Sequence, residues 1–237
     1  MISDLRIGGL TPLTTIDYPE HLSCVIYCQG CAWQCRYCHN PEMIPVKAEQ
    51  AISNSELEQF LLKRQGLLDA VVFSGGEPLL QKNLVAAIQN VKSMGFKVGL
   101  HTGGSSTSRL EQVLKYVDWV GFDVKDLPQY ADALIQVKGA GHANWGSLKA
   151  LLKSGVNYQC RTTVHWDLIS PGRVLQLAQQ LSQAGVTHYN LQIARTGNTL
   201  DPALIDDSST YSMVPKGVRL KLCEEIKPMF EQFQWIE

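Results

Sequence analysis

Short apolar segments alternate along this chain with longer segments in which apolar residues recur every three or four positions. The short segments predict six β-strands, at residues 22–28, 70–73, 96–101, 119–124, 158–164 and 188–194. The periodic segments between them predict amphipathic helices, and the clearest of these carries Leu84, Ala87, Ile88 and Val91 on one face. The pattern therefore predicts strands that alternate with helices.

Polar residues mark where several of these helices begin. Ser53 and Ser108 are each followed by a glutamate three positions later, which is the capping-box pattern. Ser170 is followed by proline, which is common at the first position of a helix. A further helix is predicted at residues 144–153, and a last amphipathic helix carries apolar residues between positions 222 and 233.

The alternation defines a fold class. Strands that alternate with helices form a parallel sheet with right-handed crossovers. Six such units are two short of a closed eightfold barrel, so we expect an α/β fold with an open, partial (β/α)6 barrel in a single domain. Its core is predicted at residues 22–194, with an N-terminal extension at 1–21 and a C-terminal loop and helix at 195–237. In barrels the chemistry lies at the carboxyl ends of the strands.

Composition narrows the class of protein further. The 237 residues are 45% hydrophobic and 18% charged, which is ordinary for a globular protein. The 21 basic and 22 acidic residues leave a net charge of −1, which favours neither nucleic acid nor an acidic membrane as a partner. No secretory signal and no apolar stretch of membrane-spanning length is visible. We therefore expect a soluble, cytoplasmic protein.

Five of the seven cysteines lie close together, and they form two overlapping runs with the same spacing. Cys24, Cys28 and Cys31 form the first run, but Cys24 and Cys28 lie in a predicted strand. At about 3.3 Å per residue they would be roughly 13 Å apart, too far for one compact centre. Cys31, Cys35 and Cys38 form the second run, in a predicted loop. The second run is therefore the predicted set of metal ligands.

Three thiolates at this spacing suit an iron–sulfur cluster in which one iron has no protein ligand. Structural zinc is the alternative, with His39 as a fourth ligand, but His39 is adjacent to Cys38 and the geometry is awkward. The remaining cysteines are expected to be small core residues; they are Cys24, Cys28, Cys160 and Cys223.

The ends of two predicted strands carry polar groups that suit a ligand. Gly75 and Gly76 would expose backbone, and Glu77 beside them could accept from an ammonium group, although a tight turn would explain the same residues. In the fourth strand the alternation places Asp123 and Lys125 on the inner face. They would serve each other, as a plain ion pair, or a zwitterionic ligand.

Three further polar residues are expected on the inner face of the barrel. An inward-facing Arg161 could hold a carboxylate with two parallel hydrogen bonds. His101 could be a ligand, a base or a packed neutral histidine, and the sequence leaves these three interpretations open. Gln192, in the sixth strand, could line the cavity.

The cysteine segment, residues 30–42, resembles the radical S-adenosylmethionine (SAM) superfamily, and more narrowly the activating proteins of glycyl-radical enzymes. Within these it looks most like the activating protein of anaerobic ribonucleoside-triphosphate reductase. The narrower resemblance rests on residues 8–10, 16–19, 161–164, 191–192 and 199–202. It spans nearly the whole chain.

The resemblance implies a set of cofactors and site residues. It implies one [4Fe–4S] cluster bound by Cys31, Cys35 and Cys38, with SAM on the open iron. The residues implied to bind SAM are Tyr37, Gly75, Gly76, Glu77, Thr102, Asp123, Lys125 and Arg161, with His101 and Gln192 as further candidates. Relatives usually carry Asp at the position of His101 and Asn at that of Gly103, so the monovalent cation site of some relatives is in doubt here.

The resemblance also implies a reaction. A radical SAM oxidoreductase would cleave SAM reductively and use the 5′-deoxyadenosyl radical to generate a glycyl radical on anaerobic ribonucleoside-triphosphate reductase. A flavodoxin or ferredoxin would donate the electron. The alternatives are an activator of another glycyl-radical enzyme, of the pyruvate formate-lyase type, and a small-molecule enzyme such as a 7-carboxy-7-deazaguanine synthase. An electron carrier without catalysis is a third, but it would need no ligand-binding strand ends.

Overall fold

The strands form one sheet whose spatial order follows the chain. The computed structural model describes residues 5–195, 197–204 and 214–236. The strands are β1 Ile7–Thr14, β2 Ser23–Cys28, β3 Ala70–Gly75, β4 Lys97–Thr102, β5 Trp119–Asp123, β6 Asn157–Val164, β7 His188–Ile193 and β8 Gln232–Ile236. Only the β1–β2 pair is antiparallel among these eight, and each later strand runs parallel to the one before it.

Seven helices lie in the connections of the described chain. They are α1 Asn54–Arg64, α2 Leu84–Ser93, α3 Thr107–Val113, α4 Pro128–Ile135, α5 Ala140–Ser154, α6 Pro171–Gln183 and α7 Lys216–Ile226. Ser53 and Ser170 cap α1 and α6 as predicted: Ser53 completes a capping box with Glu56, and the Ser170 side chain accepts from the backbone of Arg173.

The six predicted strands correspond to β2–β7, and the expectation of an open α/β barrel in a single domain is confirmed. Strands β1 and β8 were not predicted. Glycine and proline mask the pattern of β1, which tolerates them because it is an edge strand. The predicted last helix is present as α7, but it ends at Ile226, and strand β8 lies where the sequence predicted the end of that helix. Pro228 follows Ile226, where α7 ends, and the chain then resumes as a strand that carries Phe233.

Three details of the helices differ from prediction. Helix α3 begins at Thr107 with Ser106 at the capping position, so Ser108 lies in its first turn instead of before it. Helix α4 was not predicted, because it is short and begins directly at Pro128. Helix α5 begins at Ala140, four residues before its predicted start, because Gly139 adopts the left-handed conformation and turns the chain into the helix.

The two faces of the sheet have different environments. The outer face packs against the helices and is apolar; Ile26, Phe73 and Phe122 are fully buried there. Loop 15–21 covers part of the inner face, where the Tyr18 ring lies 5.5 Å from that of Trp119. The inner face of β6–β8 is mostly polar and partly exposed.

The barrel is not closed, because its two edge strands, β1 and β8, do not pair with each other. Strand β1 pairs only with β2, and β8 pairs only with β7, so the sheet has two free edges among the described residues. No helix in the described part of the chain is long and apolar enough to cross a membrane.

Candidate functional site

The three predicted cluster ligands lie in one irregular segment after β2, which we call the cysteine loop (residues 29–44). The loop folds back on itself at its base. The backbone N–H of Gly30 donates to the Met43 carbonyl at 2.8 Å, and that of Cys31 donates to the Ile44 carbonyl at 3.0 Å. Cys31, Cys35 and Cys38 are therefore displayed by a closed loop at the carboxyl end of the sheet.

The loop after β3 supports the cysteine loop from one side. The N–H of Gly76 donates to the Cys28 carbonyl and that of Glu77 to the Gly30 carbonyl, each at 2.9 Å. Gly75 has a φ of +110°, and a Cβ there would lie 2.4 Å from the Cys28 nitrogen. Packing alone thus requires glycine at Gly75, and the role of this loop toward a ligand stays a prediction.

The environment of the thiols separates the two cysteine runs. Cys24 and Cys28 are fully buried in the apolar core, as predicted. Burial raises the pKa of Cys31 to about 12 and that of Cys35 to about 11. Both thiols are therefore protonated near neutral pH without metal, and a bound metal group displaces their protons.

The residues of the loop fit an iron–sulfur cluster. Thiolates are the ligands such clusters use, and each cysteine binds a different iron atom, so the thiols need not converge on one point. Among the described residues, no three His, Cys, Asp or Glu side chains meet around a single metal ion. The buried Tyr37 hydroxyl has no hydrogen-bond partner in the described chain, which leaves a polar group for a bound molecule to satisfy.

Asp123, Lys125 and Arg161 form a charged group at the ends of β5 and β6. Arg161 Nε donates to Asp123 Oδ1 at 2.9 Å and Lys125 Nζ donates to Asp123 Oδ2 at 3.2 Å. Burial would raise the pKa of Asp123, but Arg161 and then Lys125 lower it to about 2. Two cations share one carboxylate, so the group has a net positive charge that suits an anionic ligand.

Lys125 connects this charged group to the cysteine loop. Its Nζ lies 5.9 Å from the centroid of the Tyr37 ring, within the range of a cation–π contact. Burial alone would lower the pKa of Lys125, but Asp123 raises it well above the ordinary value. The ammonium is charged at neutral pH.

Glu77 joins two strand ends through its buried carboxylate, which is only 2% exposed. Oε1 accepts from the Thr102 hydroxyl at 2.6 Å and from the Leu79 N–H at 3.0 Å, and Oε2 accepts from the Gly103 N–H at 3.1 Å. Burial raises the pKa of the carboxyl. Glu77 and Thr102 therefore fix the ends of β3 and β4 relative to each other, and their contact with SAM stays a prediction.

His101 is hydrogen-bonded to the protein through both ring nitrogens. Nε2 donates to the Asp17 carbonyl at 2.9 Å, and Nδ1 accepts from Arg161 at 3.5 Å. Burial, and after it the charge of Arg161, lowers the pKa of His101 to about 3, so the ring is neutral. Of the three interpretations, this geometry favours a packed neutral histidine. Gln192, the other added candidate, donates to the Thr163 hydroxyl at 2.6 Å on the inner face.

Sequence reasoning missed Asn144, which ties together the ends of β4 and β5. Its side-chain amide donates to the carbonyls of Gly103 and Asp123 at 2.7 and 2.8 Å, and its Oδ1 accepts from the Lys125 N–H at 3.1 Å. Asn144 is fully buried in the middle of α5. A polar residue inside an otherwise helical pattern is the only signal that the sequence offered.

The position of the Trp33 ring explains why residue 103 is a glycine. The Trp33 ring is buried in the cysteine loop, and a Cβ on Gly103 would lie 2.2 Å from it. Any side chain at position 103 would collide with this ring. The end of β4 is therefore shaped to receive the cysteine loop.

The fold and the site together define the class of protein. The sequence profile of the Radical SAM superfamily matches residues 25–166, which is more than half of the chain. The chain therefore belongs to the radical SAM superfamily; it is an enzyme, and its cofactors are a [4Fe–4S] cluster and SAM.

Two relatives narrow the group to the glycyl-radical enzyme activating enzymes. A protein of Methanocaldococcus jannaschii, named as an inferred glycyl-radical enzyme activating enzyme, is 32% identical over 167 residues, which are 66% of this chain and 67% of that protein. The pyruvate formate-lyase-activating enzyme of Clostridium pasteurianum is 30% identical over 165 residues, 67% of this chain and 68% of that enzyme.

The fold is also similar to that of solved structures. Streptococcus suis SuiB bound to S-adenosylmethionine matches with a TM-score of 0.66 at 15% identity, over 89% of this chain and 49% of SuiB. The chain thus spans about half the length of SuiB. At this level of identity the match supports the fold.

Proposed function

We propose that this enzyme generates a glycyl radical on a separate protein, and that the partner is anaerobic ribonucleoside-triphosphate reductase. The observation that carries the proposal is the gathering of three thiols and a net cationic group at one end of a barrel that is open between β1 and β8. Segments 8–10, 16–19 and 199–202, which resemble the activators of that reductase, support the choice of partner.

Pyruvate formate-lyase is the second candidate partner. The relative from Clostridium pasteurianum, whose name states that activity, favours it. Both candidates require a glycine on a flexible segment that can enter the open side of the barrel, so the geometry of the site serves either partner.

When bound, the cluster and SAM supply a carbon-centred radical through one-electron cleavage of the sulfonium. The residues of this chain hold and orient the reactants. Lys125 provides a fixed positive charge for the carboxylate of SAM, and Asp123 holds Lys125 and Arg161 in place. Glu77 fixes the two strand ends that frame the cysteine loop.

Two bulky side chains cover part of the site. Trp33 and Tyr37 are both 5% exposed and lie in the cysteine loop itself. Trp33 packs directly on Gly103, which closes the space between the loop and the end of β4. Such cover limits the access of water and so helps to protect a reactive radical from side reactions.

We expect Lys125→Ala to weaken SAM binding about 10- to 150-fold, the usual effect of losing a charge-assisted contact. The cluster should be retained, because Lys125 is not a cluster ligand. Anaerobic titration calorimetry with SAM and iron analysis of the same sample measure both properties. Lys92→Ala, which removes an ion pair to Asp118, is the matched control and should bind SAM normally. Equal affinity in both variants would remove Lys125 from the SAM site.

The partner is tested by mixing the reduced, reconstituted enzyme and SAM with each candidate protein in turn. We expect a doublet electron-spin signal on anaerobic ribonucleoside-triphosphate reductase, with roughly one 5′-deoxyadenosine per radical formed. A signal on pyruvate formate-lyase alone would transfer the assignment to the second partner. Cleavage of SAM without a signal on either would leave the enzyme class intact and refute both partners.

The electron donor is proposed to be a flavodoxin or a ferredoxin. The same spin signal should form when reduced flavodoxin or ferredoxin replaces the chemical reductant. If neither protein supports radical formation, a donor of another kind is required.

A further inference from the structure

A distant segment of the chain lies against the cysteine loop. We call residues 198–201 the clamp. The backbone N–H of Leu200 donates to the Cys38 carbonyl at 2.9 Å, and that of Asp201 donates to the Arg36 carbonyl at 3.0 Å. The clamp therefore forms hydrogen bonds on both sides of Tyr37, at and beside predicted cluster ligands.

Side chains reinforce this contact. Nε and Nη2 of Arg36 lie 2.8 and 2.7 Å from Asp201 Oδ2, although the two residues are 165 positions apart in sequence. Asp201 is itself held in place: its Oδ1 accepts from the Ala203 N–H at 3.0 Å, and its carbonyl accepts from the buried Thr199 hydroxyl at 2.8 Å. The ion pair is thus built on a fixed acceptor.

Other contacts hold the earlier part of the cysteine loop. The N–H groups of Gln34 and Arg36 donate to the carbonyls of Ile135 and Leu134, each at 3.1 Å, at the end of α4. The clamp adds contacts to the Arg36 carbonyl and to the Cys38 carbonyl, on the side of the loop that follows Cys35. Without it, the backbone at Cys38 would lose its hydrogen bond to the rest of the fold.

We propose that Arg36 and Asp201 are positioning residues of the cluster site: their ion pair locks the clamp onto the cysteine loop and slows the loss of iron. This inference rests on the assignment of Cys31, Cys35 and Cys38 as the cluster ligands. Neither residue is a predicted cluster ligand. They act through the backbone that carries Cys35 and Cys38. Their ion pair joins the segment that follows β7 to the loop that follows β2.

The first test measures iron release to a coloured chelator under anaerobic conditions. Reconstituted Arg36→Gln and Asp201→Asn should each release iron about 2- to 5-fold faster than the unaltered enzyme, as expected for loss of one partly exposed ion pair. The double variant should be no faster than either single one, because both remove the same contact. Arg36→Lys, which retains the charge, should restore part of the retention.

The matched control is Lys92→Ala, which removes another half-exposed ion pair, with 2.6 Å between Lys92 and Asp118. It should leave iron release unchanged. Release at the rate of the unaltered enzyme in Arg36→Gln and Asp201→Asn would overturn the proposal. Circular dichroism confirms that each variant is folded.

The second test needs no cluster. In the cluster-free protein, the amides of Leu200 and Asp201 are the donors to the loop, so their hydrogen exchange should accelerate about 2- to 5-fold in Arg36→Gln. Unchanged exchange would show that the ion pair does not hold the clamp. Faster exchange with normal iron release would reduce the clamp to a packing contact and equally overturn the proposal. If the unaltered protein binds no cluster at all, the cysteine assignment fails, while the exchange result still decides whether the lock exists.

Discussion

Cys31→Ala, Cys35→Ala and Cys38→Ala should each abolish the iron–sulfur cluster, whereas Cys24→Ala and Cys28→Ala should retain it. The unaltered, anaerobically reconstituted protein should hold about four irons per chain. Removing one of three thiolates leaves too few protein ligands to hold the cluster. The side chains of Cys24 and Cys28 are buried in the apolar core, on strand β2, which precedes the cysteine loop, so their loss removes only packing. Iron and sulfide analysis with visible absorption measures the outcome.

Cys24→Ala and Cys28→Ala also serve as stability controls, because each substitution leaves a small cavity in the core, as the loss of any buried thiol does. They should unfold at a slightly lower denaturant concentration than the unaltered protein and still bind about four irons per chain. A cluster that survives Cys35→Ala but not Cys24→Ala would show that the other cysteine run provides the ligands.

Asp123→Ala should destabilise the protein by about 3 kcal/mol, because it leaves two cations close together without their shared carboxylate. The Lys125 and Arg161 side chains are only 13% and 18% exposed, so solvent cannot fully replace the lost partner. Denaturant unfolding of the cluster-free protein measures the change. Glu225→Ala, which removes an exposed pair with Lys221, is the control and should change stability by no more than about 0.5 kcal/mol.

The ion pairs of Asp123 should also make the stability of the protein depend on pH. The pKa of Asp123 is depressed from an ordinary 3.8 to about 2, so its contribution to stability is complete above about pH 4 and is lost as the pH falls toward 2. In Asp123→Ala this part of the acid dependence should be absent. Parallel curves for the two proteins between pH 4 and pH 2 would contradict the assigned ion pairs.

Local patterns predicted the parts of the site that local geometry determines. The strand alternation correctly placed Val120, Phe122 and Val124 on the buried outer face and so brought Asp123 and Lys125 to the inner one. The choice between the two cysteine runs followed from the same reasoning, since a strand holds its residues apart and a loop does not.

The parts that could not be predicted depend on contacts between distant residues. Asn144 joins the ends of β4 and β5 only because α5 packs against them, and no periodicity reports that contact. The ion pair between Arg36 and Asp201 joins two residues that are 165 positions apart in the sequence. Strand β8 was misread because its apolar residues continue the pattern of the preceding helix, and only Pro228 marks the break.

The strand order bears on how the protein is made. Each strand from β2 onward pairs with the strand synthesised just before it, so the sheet can grow at one edge as the chain leaves the ribosome. The cysteine loop and the strand ends around it are complete once β6, which carries Arg161, has been added. Residues 198–201 emerge much later. The cysteine loop thus precedes the clamp in the order of synthesis, and we expect iron and sulfide to reach the three thiols most readily before the clamp binds the loop.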